Sequence, residues 1–360
     1  MRVRRRDVTL SHMAKPTRSV TIPRRPRFVP GLEVLERRPD ELQIGLEPRH
    51  AVVAPHLPPI LMDILRSLDG SRSTSSLLAL AEGEHAERLR DLLTGLTERG
   101  LIEDAEPPAH PHTRTEEPEL WSANLGRSRQ DTASQRAQCA VLIHGGGRVA
   151  AAVAALLAAA GVGHIDTEAK GTVGMDDLGS GFVDGDVGMG RRQALAAVVH
   201  RANPRTRTGR IRSNRLPDLV LLTDAVVPAP EVVTELMADG AAHLPVRVRD
   251  GIGIVGPLVL PGRSSCLRCA DLHRTALDSC WPRVAGQLAG RYQRAELSSV
   301  HAVAALAAGQ ALRVLSPEDT PPPTWNATLE IDCYGGTMTQ REWLPHPRCG
   351  CGASKPRFRT

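Results

Sequence analysis

The sequence predicts an α/β protein in which a Rossmann-like domain, built on a parallel sheet, follows a small α+β unit. Three observations lead there. Between Cys139 and Leu222 short apolar strands alternate with helical patterns, the first pair joined by Gly145-Gly146-Gly147. Alternation of this kind gives a parallel sheet with helices on its faces. Residues 30–103 instead place their strands first and their helices afterwards. Four of the seven cysteines fall in two close pairs, Cys266 with Cys269 and Cys349 with Cys351.

In order along the chain, residues 1–29 read as a flexible basic arm. Residues 30–103 form a first compact unit. Leu32 to Leu35 and Leu42 to Leu46 are a hairpin across the turn Pro39-Asp40, and His50 to His56 is a third strand. Three helices follow. Pro58 to Leu68 opens on proline and stops at Asp69-Gly70, Ser73 to Leu80 starts on hydroxyl caps, and His85 to Arg99 sets Leu89, Leu92, Leu93 and Leu96 on one face before Gly100. A small sheet with three helices in this span is a winged-helix-like pattern. Residues 104–137 are polar and Pro-rich and read as a linker.

The main domain covers 138–352. Ala140 to His144 is a buried strand, Val149 to Ala160 a helix ended by Gly161, and His164 to Thr167 the second strand. Arg191 to Ala202 is a helix, Leu219 to Leu222 a third strand, and Glu231 to Asp239 and Ser299 to Leu315 further helices. Pro245 to Val248, Ile252 to Leu260 and Thr328 to Asp332 add strands, and 353–360 is a basic tail.

At 360 residues the chain has room for about two domains. Its 41% hydrophobic and 24% charged residues are those of a soluble globular protein. The pI near 9.0 and net charge of +5 raise the question of nucleic acid. Residues 1–29 alone carry +8 and the tail +3, so the body between them carries −6. Three Phe, two Tyr and four Trp are also too few for base-stacking platforms. Nucleic acid is therefore disfavoured as a partner. No apolar run approaches the ~18 residues of a membrane span, and no apolar segment follows the basic N-terminus as in a signal peptide. An odd cysteine count without an export signal fits a reducing, cytoplasmic compartment.

Two constellations carry chemistry. Two close cysteine pairs eighty positions apart can converge on one tetrahedral ion, so Cys266, Cys269, Cys349 and Cys351 are candidate ligands of a structural zinc. Four thiolates close the coordination shell, so such an ion staples the chain and leaves no open position for catalysis. His273 then reads as an outer donor or surface residue. The glycine triplet is the second: it lets an anion approach a helix N-terminus, although a tight strand-to-helix turn needs glycine anyway.

From Val141 to Gly163 the string VLIHGGGRVAAAVAALLAAAGVG resembles the opening unit of the ThiF/MoeB ubiquitin-activating-enzyme-like superfamily. Gly188 to Pro204 and Asp218 to Asp224 resemble its next helix and acidic strand, and the cysteine pairs resemble its zinc site. The resemblance implies nucleotide-binding positions at Gly145, Gly147, Arg191 and Asp224, Asp224 on the metal side. Departures are numerous. Arg148 and Ala150 stand where the family has glycines, Ala169 where it has a ribose-holding acid, Asp177 and Ser180 where it has a phosphate-binding Asn and Arg, and Arg191 where it has Lys. Glu168, Lys170 or the arginines at 205, 207, 210, 212 and 215 are the available substitutes.

The string GPLVLPGRSSCLRCADLHRTALDSCWPRV, Gly256 to Val284, is similar to the zinc segment of the cyclodehydratase-associated, leader-peptide-binding proteins of azoline-forming peptide pathways. In that family a winged-helix recognition domain precedes a degenerate activating-enzyme-like domain, and a YcaO-type partner uses the ATP. The resemblance implies capture of a precursor peptide by β-augmentation at Ala51, Val52, Val53 and Ala54, and a homodimer. The alternative is a working adenylyltransferase, with ATP and magnesium, that activates a ubiquitin-like or sulfur-carrier protein. A DNA-binding regulator is the third reading, weakened because Ser73 to Leu80 holds no Lys or Arg.

Overall fold

The computed structural model describes residues 21–29, 31–47, 51–105, 129–212, 215–293, 295–316 and 320–353. Most of the predicted arm, the centre of the linker, His50 and residues 354–360 of the basic tail lie outside them. The chain divides into two compact units, 1–134 and 135–360.

In the first unit, β2 (Val34–Arg38), β3 (Glu41–Ile44) and β4 (Val52–Ala54) form an antiparallel sheet in that order. Helices α1 (Pro59–Arg66), α2 (Thr74–Ala81) and α3 (Gly83–Glu98) follow. Proline supplies the first turn of α1, and the Ser73 hydroxyl accepts the Ser76 N–H at 3.2 Å to cap α2. The sheet turns Leu42, Ile44, Val52 and Ala54 inward onto Leu61, Leu65, Leu89, Leu93 and Leu96, all essentially inaccessible. Each such leucine contributes about 2 kcal/mol on leaving water.

The extent of the basic arm is corrected here. Pro26–Phe28 is strand β1, paired antiparallel with β5 (Ile102–Asp104), so residues 26–28 belong to the fold. Phe28 packs on the leucine core, Val29 is buried, and the Arg27 guanidinium meets the Glu103 carboxylate at 2.6 Å. The linker is likewise shorter than 104–137: Asp104 ends β5, and Arg129–Gln138 is helix α4.

The second unit holds an eight-stranded sheet. Its parallel half comprises β6 (Ala140–His144), β7 (His164–Glu168), β8 (Arg207–Thr208), β9 (Leu219–Leu222) and β10 (His243–Arg249). β11 (Ile252–Val255), β12 (Ala327–Asp332) and β13 (Thr337–Glu342) extend it antiparallel, giving the order β13-β12-β11-β10-β9-β6-β7-β8. Between strands run α5 (Arg148–Ala159), α6 (Arg191–Ala202), α7 (Pro230–Ala238), α8 (Leu267–Leu277), α9 (Trp281–Leu288) and α10 (Leu297–Leu315). Alanine lets α5 lie close to the sheet: Ala150, Ala151, Ala154 and Ala158 are fully buried. By length and composition α10 could cross a membrane. Its Val300, Val303, Ala304, Ala307 and Ala311 are buried in this unit, the stripe of a core helix.

Candidate functional site

The strand order sets the site. From β6 the chain builds outward through β7 and β8, then returns through β9 on the other side of β6. The crevice beyond the carboxyl ends of β6 and β9 is the switch point where doubly wound sheets bind ligands. The glycine loop leaves β6 there, and Thr223 and Asp224 leave β9. Gly146 N–H donates to Asp224 Oδ1 at 3.0 Å, and Thr223 N–H to the His144 carbonyl at 3.0 Å.

The four positions Gly145, Gly147, Arg191 and Asp224 come together around this loop, which the chain's own side chains cover. Gly145 has φ +141°, and a Cβ there would collide with the Thr223 hydroxyl. A Cβ on Gly146 would come within 2.9 Å of Arg191, and one on Gly147 would meet the Tyr292 hydroxyl. Arg191 donates to the Gly146 carbonyl at 2.6 Å and grips Asp177 through two bonds of 3.0 and 2.7 Å. The buried Asp177 also accepts Tyr292 Oη at 3.0 Å and Gly174 N–H at 2.8 Å. Burial and the neighbouring Asp177 carboxylate push the Tyr292 phenol above its ordinary range, so it stays protonated and donates. Where an incoming phosphate needs free N–H groups and an unpaired cation, this loop presents a phenol and a neutralised arginine.

Ser180 donates to the Arg148 carbonyl at 3.2 Å. Arg207 and Arg215 lie by the amino ends of the parallel strands, β8 pairing with the start of β7 and Arg215 bonding Gln138 and Asp218. They stand at the opposite end of the sheet from the loop, so these two are not substitutes for the missing phosphate ligands. Glu168 and Lys170 do face the crevice. With His144, Arg192, Asp224 and apolar residues from 222–232 they line a cavity of about 560 Å³. Arg192 is held by Asp166 at 2.9 Å.

Tyr292 carried no sequence signal. It sits between α9 and α10, where an isolated bridge with Ala225 and the side chain of Gln293 tie the segment to the sheet. Gln293 receives Val248 N–H at 2.7 Å and donates to the Thr223 carbonyl.

The cysteine pairs converge. Sγ separations are 3.8 Å for Cys266 and Cys269, 3.6 Å for Cys266 and Cys349, and 3.6 Å for Cys269 and Cys351, all four sulfurs lying within 4.8 Å of one another. A tetrahedron with Zn–S of about 2.3 Å has edges of about 3.8 Å, so the donor set fits a metal such as zinc. Backbone N–H groups of Cys269, His346 and Ala353 point at the sulfurs of Cys266, Cys269 and Cys351 and favour their thiolates. Burial pushes the Cys269 thiol up to about 11 and raises Cys266 as well, a penalty that a bound dication reverses. His273 is turned away, its Nε2 2.9 Å from the Leu344 carbonyl.

At the first unit, Val52 to Ala54 form β4 and Ala51 immediately precedes it. This strand pairs with β3 on one side and has no strand partner on the other among the described residues. Val52 and Ala54 face the core, while Ala51 and Val53 are half-buried.

No protein-family model matches the chain, and no curated protein sequence matches it. Solved structures do. The microcin C7 biosynthetic enzyme MccB, in complex with N-formylated MccA, aligns with a TM-score of 0.69 at 15% identity, over 91% of this chain and 99% of that one. E. coli MccB with ATP gives the same values. A heterocyclase in complex with substrate and cofactor aligns with a TM-score of 0.61 at 14% identity over 91% of this chain, which spans 39% of the heterocyclase chain. At these identities the likeness is one of fold: the chain has the fold of MccB.

Proposed function

We propose that the protein binds a precursor peptide and presents it to a separate ATP-dependent modifying enzyme of YcaO type, without adenylating the peptide itself. The observation that carries the second half is the Asp177–Arg191–Tyr292 cluster over the glycine loop. Adenylation requires cations and metal to stabilise charge building up on phosphates, often the largest single catalytic contribution. Here the cation nearest the loop is matched by a buried carboxylate. For the peptide half, we read the first unit as a winged-helix-like recognition module that takes up the peptide by strand addition at β4, with main-chain hydrogen bonds giving affinity. The support is that β4 has a strand on one side only among the described residues. Fold relatives crystallised with MccA and with a heterocyclase substrate point to the same class of ligand. Zinc holds the second unit together, and homodimerisation in the cytoplasm belongs to the same reading. Catalysis comes from the partner, and this chain contributes proximity.

One observation favours the second reading, an adenylyltransferase using ATP and magnesium. The cavity beside the loop keeps Asp224 and Lys170, and a fold relative is known with ATP. ATP–pyrophosphate exchange with the purified full chain separates the two. No exchange is expected in either the natural protein or Asp224→Ala; robust exchange that Asp224→Ala abolishes would overturn the scaffold reading.

A further inference from the structure

The antiparallel half of the large sheet gathers cations on one face. Register places Arg247, Ile254, Glu330 and Thr339 side by side across β10 to β13, with Arg249, Ile252 and Asp332 in one flanking row and Thr328 opposite Arg341 in the other. Rows two residues apart share a face. Over this face α8 and α9 bring Arg274 and Trp281. The Arg274 guanidinium lies 4.4 Å from the Trp343 ring and 5.2 Å from the Trp281 ring. Asp271 accepts both Arg274 and the Trp281 indole N–H at 3.0 Å, and Arg341 pairs with Glu330 at 3.2 Å. Between these groups a cavity of about 200 Å³ remains, with Arg249 in its wall.

Four acids and four arginines lie in this region, and they are not all paired. Asp271 answers Arg274 and Glu330 answers Arg341, while Asp278 and Asp332 accept backbone N–H groups of Cys280 and of Tyr334 and Gly335. Arg249 is half-buried and has no hydrogen bond or ion pair among the described residues. Arg247, only 7% exposed and outside the cavity wall, reaches nothing closer than the carbonyls of Val226 and Gly256 at 3.5 Å. Burial, and then the field of Arg274, push its guanidinium down to about 9. A partly desolvated cation without a counter-charge is costly, and an anion in the cavity beside Arg249, Arg274 and Arg341 lowers that cost.

We propose that this cavity binds a carboxylate presented by a peptide, at a site separate from both the glycine loop and the cysteine cluster. Guanidinium forks match the carboxylate plane, and indole faces beside them suit the methylenes that carry it. Leu277, 82% exposed at the rim, adds apolar surface for a neighbouring residue. Glu330 and Asp278 in the wall repel a phosphate dianion more than a carboxylate monoanion. The volume lies below the roughly 300–1,000 Å³ of pockets for larger ligands, so it suits a small charged group.

Trp281 and Trp343 are two of the four tryptophans and report on the site by fluorescence. The full chain is titrated with N-acetylglutamate N-methylamide, for a side-chain carboxylate, and with N-acetylleucine, for a chain-terminal one. N-acetylglutamine N-methylamide serves as the neutral isostere and inorganic phosphate as the competing anion. A saturable change is expected with at least one carboxylate, and the one that gives it names the source. Affinity is expected to fall about tenfold for the isostere and in Arg249→Gln, the loss of one charge-assisted bond. Arg341→Gln, at a half-exposed edge position, provides a second variant should Arg249→Gln fail to fold. No saturable response to either carboxylate, equal binding of the isostere, unchanged affinity in the folded variants or tighter binding of phosphate overturns the proposal.

Discussion

Gly145 and Gly147 stand two residues apart in one loop and differ in what a methyl group would meet. At Gly145 the backbone is in a conformation that L side chains rarely adopt, and Asp224 N lies 3.1 Å from the new atom. At Gly147 no positive φ is required, and the obstacle is the end of the Tyr292 side chain, 48% exposed and held there by one hydrogen bond to Asp177, which yields more readily than backbone. Gly145→Ala should therefore cost roughly 2–4 kcal/mol of the second unit's stability, and Gly147→Ala less than about 1 kcal/mol, as measured by urea denaturation. Equal losses would mean that Tyr292 is fixed more firmly than its contacts imply. The need for glycine here was legible in the sequence, because a strand turning sharply into a helix demands it. The covering residue was not, since Tyr292 reaches the loop from about 145 positions away in the chain.

At the level of elements, β4 and β1 show opposite sides of what a short strand reveals. The alternation around Val52 to Ala54 is local, so the strand is visible in sequence, and only the sheet order shows that one edge has no neighbouring strand among the described residues. β1 is three residues among prolines and arginines, and it exists because Ile102 to Asp104 pair with it from the far end of the unit. Periodicity cannot report a partner about 75 residues away. If β4 takes up a peptide by strand addition, a bound precursor peptide should lose at least tenfold in affinity when its amides facing β4 are N-methylated, each removing a main-chain hydrogen bond. Fluorescence anisotropy with methylated and unmethylated peptides measures this, and affinity indifferent to methylation would place the peptide elsewhere.

Across the whole molecule, the cysteine cluster joins segments separated by 80 residues of the second unit, so its metal should behave as a fold determinant. Metal analysis is expected to find about one ion per chain, and chelation to lower the second unit's stability by several kcal/mol. Alkylation at neutral pH should reach the exposed Cys280 and Cys333 first and the four clustered thiols only after chelation. Burial pushes Cys139 up to about 11, which keeps that thiol protonated and slow to react. Because burial also raises Cys266 and Cys269 in the metal-free state, binding releases protons and affinity falls as pH falls. A fully folded metal-free chain would refute the staple.

What the sequence determined by itself was whatever rests on neighbours along the chain. The alternation of strand and helix, the caps of the helices, the turn at the glycines and the pairing of close cysteines all follow from local backbone and ligand chemistry. Tertiary structure alone decided how distant charges and rings meet. It set Asp177, Arg191 and Tyr292 over a loop that resembles a phosphate site, and it crowded four arginines around two tryptophans on one sheet face. Those outcomes depend on strand order and register, which fix separations in space that spacing in the chain does not encode.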